Sequence, residues 1–256
     1  MNYLVLHHGE AWQAVAATSL IRGLKRRDPT CSIVWATSVE CRPIFEYNNK
    51  LSEAHVGYGP FKGNFDVAIN LTPSEESASA MKESQAVEKF GFILDNGRVS
   101  VTHQENQYIL DVFSGKISTQ NHILQLYYRV AGMKWRGEGY DLSYYPRNKV
   151  KKKKTGVAVS DPSLRLFVKE NLKLDHSELW HIPMRSNIFK RIDEINRVKH
   201  IITDDLLCAH IGIATRKHVE FLDTNDLNMS IEFFSKGYHH RINNGSQQLP
   251  NSQTSQ

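Results

Sequence analysis

The residues best suited to chemistry stand near the start of the chain. Glu10 follows His7-His8-Gly9 in a short polar loop. The loop lies between an apolar strand, 3–6, and a helical run, 11–25, in which Trp12, Val15, Ala16, Ser19, Leu20 and Gly23 recur at helical spacing. A carboxylate or imidazole held in such a loop can take a proton from a substrate hydroxyl. The helix N-terminus beside it favours an anion. Glu10 and His8 are therefore the candidate catalytic residues. Glu10 is equally suited to be a capping charge, and His7 and His8 to be satisfied loop or core residues. No carboxylate cluster accompanies the two histidines, so no metal is assigned.

The second half carries its own polar loops. Ser160-Asp161-Pro162-Ser163 follows a strand, where it either faces a cleft or caps a helix with proline in the first turn. Arg185 and Lys190 follow another strand and suit a phosphate or a solvated basic face. Asp204 and Asp205 open a helix, and His210 lies about one and a half turns further on. Either aspartate can be an N-cap, with His210 a packed helix residue.

These loops need elements to hold them. Strands are expected at 32–36, 54–56, 66–71 and 89–93, and helices at 40–47, 74–86 and 120–131. Pro29 ends the first helix. The alternation argues for a parallel sheet covered by helices. Residues 147–154 then hold six basic residues, and a domain junction is placed there. The run 151–154 is all lysine, without the interleaved aromatics of a single-strand binder, and reads as a solvated linker. A shorter alternation follows: strands at 155–159, 178–182, 200–203 and a last one at 218–222, with helices at 163–171, 188–198 and 205–214. The tail from 243 is almost free of apolar residues and is expected to be disordered.

Composition narrows the class. The chain has 256 residues, 40% of them apolar, which is enough for a substantial core. Its net charge of +5 suits an anionic partner. Three cysteines, none in a C-x-x-C pair, argue against a disulfide framework or a structural zinc site. No apolar run is long enough to span a membrane and no signal-peptide pattern opens the chain, so a soluble cytoplasmic protein is expected. There is no G-x-G-x-x-G or P-loop motif.

Particular segments resemble a family. Leu4-Val5-Leu6 followed by Ala17-Thr18-Ser19-Leu20-Ile21-Arg22-Gly23-Leu24-Lys25 is similar to the opening of heptosyltransferase-like enzymes, glycosyltransferase family 9. The segments at 32–35, 65–71 and 89–92, then Ala131-Gly132-Met133 and Tyr144-Tyr145-Pro146, fall in that family's order. Ile201-Ile202-Thr203-Asp204-Asp205 through His210-Ile211-Gly212-Ile213-Ala214 resembles its Asp-Thr-Gly-x-x-His-x-Ala-Ala segment. The resemblance spans most of residues 3–222 and rests on order and spacing. Two departures stand out. The family's catalytic Asp falls on Gln13, which leaves Glu10 as the nearest base, and its Thr-Gly falls on Leu206-Leu207.

The resemblance implies an α/β protein of two Rossmann-like domains facing a cleft, the GT-B plan, with a short second domain. The acceptor domain is 1–147, the nucleotide-sugar-binding domain 148–242 and the tail 243–256. It implies a metal-independent, inverting glycosyltransferase without a cofactor, moving a sugar from a nucleotide-sugar donor to a hydroxyl. Glu10 and His8 would serve catalysis, and Ser160, Arg185, Asp204, Asp205 and His210 would bind the donor. The expected acceptor is a surface glycan such as a lipopolysaccharide core, or a hydroxymethylated base in phage-type DNA. The alternative is a non-catalytic nucleotide-sugar- or glycan-binding protein derived from the same fold, motivated by Gln13 and Leu206-Leu207.

Overall fold

The computed structural model describes residues 1–119, 121–144, 153–160, 179–184, 187–222, 231–235 and 238–242, with backbone course only for 153–154, 231–235 and 238–242. The expected helix at 163–171, Arg185 and the tail lie outside the described residues.

The first half is built on one sheet in the order β3-β2-β1-β4-β5-β6. Its strands are β1 (Asn2–His7), β2 (Ser32–Thr37), β3 (Glu53–Val56), β4 (Phe65–Asn70), β5 (Ala86–Asp95) and β6 (Arg98–Val101). All neighbours are parallel except β5 and β6. β1 is central and buried from Tyr3 to His7, which explains its unbroken apolar run. Tyr3 and Val5 face a core shared with α1 (Ala11–Ala17), α2 (Ser19–Arg27) and α6 (Ile123–Val130). Leu4 and Leu6 point the other way, onto Ala80 and Met81 of α4 (Glu75–Glu83).

The helix expected over 11–25 is two helices, broken at Thr18. Thr18 Oγ1 donates to the Val15 carbonyl at 2.7 Å and accepts the Asp141 N–H at 3.0 Å. Side-chain back-bonding of this kind bends helices, and here a distant backbone N–H uses the same oxygen. α3 (Arg42–Phe45) is shorter than expected. β6 and α5 (Gln107–Phe113) were not expected at all. β6 follows a tight Asn96-Gly97 turn in which both residues have positive φ, 48° and 75°, as the hairpin geometry matching strand twist requires. Gly91, at φ 100°, marks where β5 leaves parallel pairing with β4 and starts antiparallel pairing with β6. A Cβ there would lie 2.1 Å from the Asn70 carbonyl oxygen, so only glycine fits.

The second half forms a parallel sheet in the order β10-β9-β7-β8. Its strands are β7 (Lys153–Ala158), β8 (Leu179–His181), β9 (Val198–Thr203) and β10 (His218–Phe221). Lys153 and Lys154 thus open a strand. α7 (Ile188–Asn196) is capped by Asn187, whose side chain accepts from the Lys190 N–H. α8 (Leu206–Ala214) is buried from Cys208 to Ile213. A helix apolar on all sides needs neighbours on all sides, and α8 has them: Ile201 and Val219 of its own sheet, and α1 of the first half. The largest apolar cluster therefore reaches from Tyr3 to Val219, joining one face of each sheet through α1 and α8. Beyond β10, the expected last strand, the chain adds an antiparallel pair, β11 (Ile231–Ser235) and β12 (Tyr238–Ile242). No helix among the described residues is long and apolar enough to cross a membrane.

Candidate active site

In an open parallel sheet, ligands bind beyond the C-terminal ends of the strands, where the strand order reverses direction. The first sheet reverses between β1 and β4, and the second between β7 and β9. The sequence-derived candidates fall at these two places: His8 and Glu10 just after β1, Ser160 after β7, and Asp204 and Asp205 after β9.

At the first switch point, the His8 N–H donates to Thr72 Oγ1 at 2.9 Å, joining the loops that follow β1 and β4. The His8 ring lies on Tyr58, with centroids 4.0 Å apart. Its Nε2 is 3.0 Å from the Gly57 carbonyl, which can only accept, so Nε2 carries the proton. Its Nδ1 sits 3.5 Å from Ser77 Oγ. Burial lowers the His8 pKa, keeping the ring neutral.

Glu10 is the exposed N-cap of α1. Its N–H donates to Gln13 Oε1 at 2.8 Å, half of a capping-box exchange. Its Oε2 accepts the Trp12 indole N–H at 2.7 Å. Gln13 thus fixes the backbone that presents Glu10. Gly9 leaves room for this: a Cβ at Gly9 would stand 2.3 Å from Gln13 Oε1. The cleft in front holds about 410 Å³ and is lined by His8, Gly9, Glu10, Ala11, Gln13, Ser38, Glu40 and Cys41. Sequence reasoning missed Glu40 and Cys41. The signal for them was their place just after β2, next to β1 on the same sheet edge. Burial raises the Cys41 thiol pKa, which keeps it protonated and poorly nucleophilic.

At the second switch point, Asp204 accepts the Ser160 N–H on both carboxylate oxygens at 2.9 Å and the Ser160 hydroxyl at 2.7 Å. Asp205 caps α8, accepting the Cys208 N–H at 2.6 Å. It also pairs with Arg191 Nη1 at 3.3 Å. Arg191 is only 7% exposed, and its other arm donates to the Met184 carbonyl. Ser160 and Asp204 are thus brought together, and Asp205 anchors a helix. His210 stands elsewhere: fully buried, stacked on Trp12 at 5.4 Å, with Nδ1 2.8 Å from the Tyr140 hydroxyl. Burial takes its pKa down to about 3, so it is neutral. It meets Trp12, and through Trp12 the Glu10 carboxylate.

No protein-family model and no curated protein matches the sequence. Solved structures do match. The glycosyl transferase family 9 structure from Veillonella parvula aligns with 85% of this chain and 79% of its own, at 12% identity and a TM-score of 0.60. E. coli heptosyltransferase WaaC with ADP-2-deoxy-2-fluoro heptose aligns with 90% of this chain and 92% of its own, at 10% identity and 0.58. E. coli ADP-heptose lps heptosyltransferase II aligns with 86% and 83%, at 15% identity and 0.55. The chain therefore has a heptosyltransferase-like glycosyltransferase family 9 fold, Rossmann-like and rich in parallel sheet.

Proposed function

We propose that this chain is a nucleotide-sugar-dependent glycosyltransferase of GT-B plan, with an acceptor domain over 1–147 and a donor domain over 148–242. One observation carries the reading: the exposed Glu10 carboxylate, capped and bonded, on a cleft wall at the first switch point. In the proposed reaction the acceptor hydroxyl oxygen attacks the anomeric carbon while Glu10 takes its proton. The sugar–phosphate bond breaks and the nucleoside diphosphate leaves, inverting the anomeric centre in one displacement. This step uses no metal. His8, neutral and engaged by Gly57 and Thr72, shapes the wall beside the base. Ser160, Asp204 and Asp205 form the donor side, Arg185 is assigned to the donor by its sequence alone, and His210 holds Trp12 against Glu10. An ADP-activated sugar is the first donor to try, because two of the similar structures are described with ADP-heptose or an ADP-heptose analogue. A surface-glycan hydroxyl is favoured as acceptor over a hydroxymethylated DNA base, because one similar structure is described as an lps heptosyltransferase.

A thermal-shift screen of nucleotide-sugars tests the reading. A donor at a hundred times its Kd stabilises the fold by about 2.7 kcal/mol, a rise of about 5 °C or more for a chain of this size. No shift with any nucleotide-sugar contradicts the proposal. Duplex DNA is then added at low and moderate salt, since binding that collapses with salt would move the acceptor to DNA. Tight donor binding with no turnover would favour the non-catalytic alternative.

A further inference from the structure

The second sheet carries a polar cluster that the proposed sugar chemistry does not use. His200 of β9 and His218 of β10 are register partners on parallel strands, and their rings lie 4.8 Å apart. Glu220 is two residues beyond His218, so its side chain leaves the sheet on the same face. Its Oε1 stands 3.2 Å from His200 Nε2 and 3.9 Å from His218 Nε2. The ligand atoms of all three residues lie within 4.8 Å of one another.

We propose that His200, His218 and Glu220 form a binding site for a divalent transition metal of the zinc class, clasping edge strand β10 to β9. Zinc bonds to imidazole nitrogen and carboxylate oxygen of about 2.0–2.2 Å, in a tetrahedron, set neighbouring ligand atoms about 3.3 Å apart. The Glu220 distances bracket that value. Closing the remaining gap between the imidazoles needs side-chain rotation alone, because the strand register already sets the backbones opposite each other. Two imidazoles and one carboxylate select zinc, copper, nickel or iron. Magnesium and calcium prefer all-oxygen shells and fit poorly. His218 and Glu220 are 43% and 47% exposed at their side chains, so an ion can enter from solvent, with water completing the shell. Among the described residues β10 is an edge strand of the parallel sheet, paired on one side with β9. A metal bound only by the folded sheet stabilises that pairing by linkage. His200 precedes Asp204 by four residues, about 13 Å along the strand, so the site is separate from the proposed donor loop and its role is structural.

The test uses the full chain without an affinity tag, stripped of metal and titrated with zinc chloride by calorimetry. The expected result is saturable binding of one zinc per chain, together with a raised melting temperature. His218→Ala and Glu220→Gln should each weaken binding by about tenfold or more, by analogy with the loss seen when a ligand's own support is removed. His103→Ala, on the exposed surface of the first half, should bind as the native chain does. Cobalt(II) gives a readout that needs no variant: strong visible ligand-field bands mark a four-coordinate site, and the pale spectrum of the hydrated ion marks none. Absence of saturable zinc binding, a hydrated cobalt spectrum, or unchanged affinity in both His218→Ala and Glu220→Gln overturns the proposal.

Discussion

The two switch points share a construction and differ in what it leaves available. In each, a hydrogen bond ties together the loops after the two central strands: His8 N–H to Thr72 at the first, Ser160 N–H to Asp204 at the second. Each then starts a helix with an acidic N-cap, Glu10 on α1 and Asp205 on α8. At the second, both acids are already engaged within the protein. Asp204 takes the Ser160 donors, and Asp205 takes a helix N–H and a buried arginine. At the first, Glu10 keeps its exposure and lines a cleft, because Gln13 and Trp12 hold it from the sides. An acidic residue at a strand end is thus not a catalytic signal by itself. What its neighbours demand of it decides.

Substitutions can break this contrast. The largest effect is expected from Glu10→Gln. The amide can still accept the Trp12 N–H but cannot act as a base, so sugar transfer should fall about 10²–10⁴-fold. Its melting temperature should stay within about 1 °C of native. Asp205→Ala should act chiefly on stability, beside any loss of donor affinity. It removes a cap and leaves the buried Arg191 without its carboxylate, so urea denaturation should report a loss of about 2–4 kcal/mol. A stable Asp205→Ala protein would erase the contrast.

Acid should act on both halves. His7, fully buried at the end of β1, and His210 both have pKa values lowered to about 3 by burial. Above their ordinary value near 6.5 the folded and unfolded states are both neutral. Below it the unfolded chain takes up protons that the folded chain refuses. Stability is therefore complete above pH 6.5 and is lost as pH falls toward 3, by up to about 1.4 kcal/mol per pH unit for each histidine. Urea midpoints measured between pH 7.5 and 5 should show this slope, and His210→Phe should flatten it in part. The smallest effect is expected from Gln13→Ala, which removes a cap contact worth about 1 kcal/mol. It should slow transfer far less than Glu10→Gln does.

Much of this was legible from residue order. The apolar run after Asn2 announced a strand, and the alternation of elements announced a parallel sheet with helices. The hairpin to β6 was also written in Asn96-Gly97, a turn pair that the strand reading at 89–93 stopped short of. The break at Thr18 was not legible, because Asp141, 123 residues away, supplies the N–H that engages it. His210 was placed correctly on a helix, but its burial follows from docking of α1 against α8, which only the folded chain reveals. The all-round apolar stretch from Leu206 to Ala214 was the available clue. The cluster of His200, His218 and Glu220 depends on strand register, which spacing along the chain does not encode.

The central claim is that the first switch point performs sugar transfer and that Glu10 is its base. The most direct measurement is nucleotide release from a donor that binds, with and without a glycan acceptor, by the native chain and Glu10→Gln side by side. The account predicts acceptor-dependent release by the native chain, and loss of that release in Glu10→Gln with donor affinity unchanged. No release by the native chain, or equal release by both proteins, would contradict it.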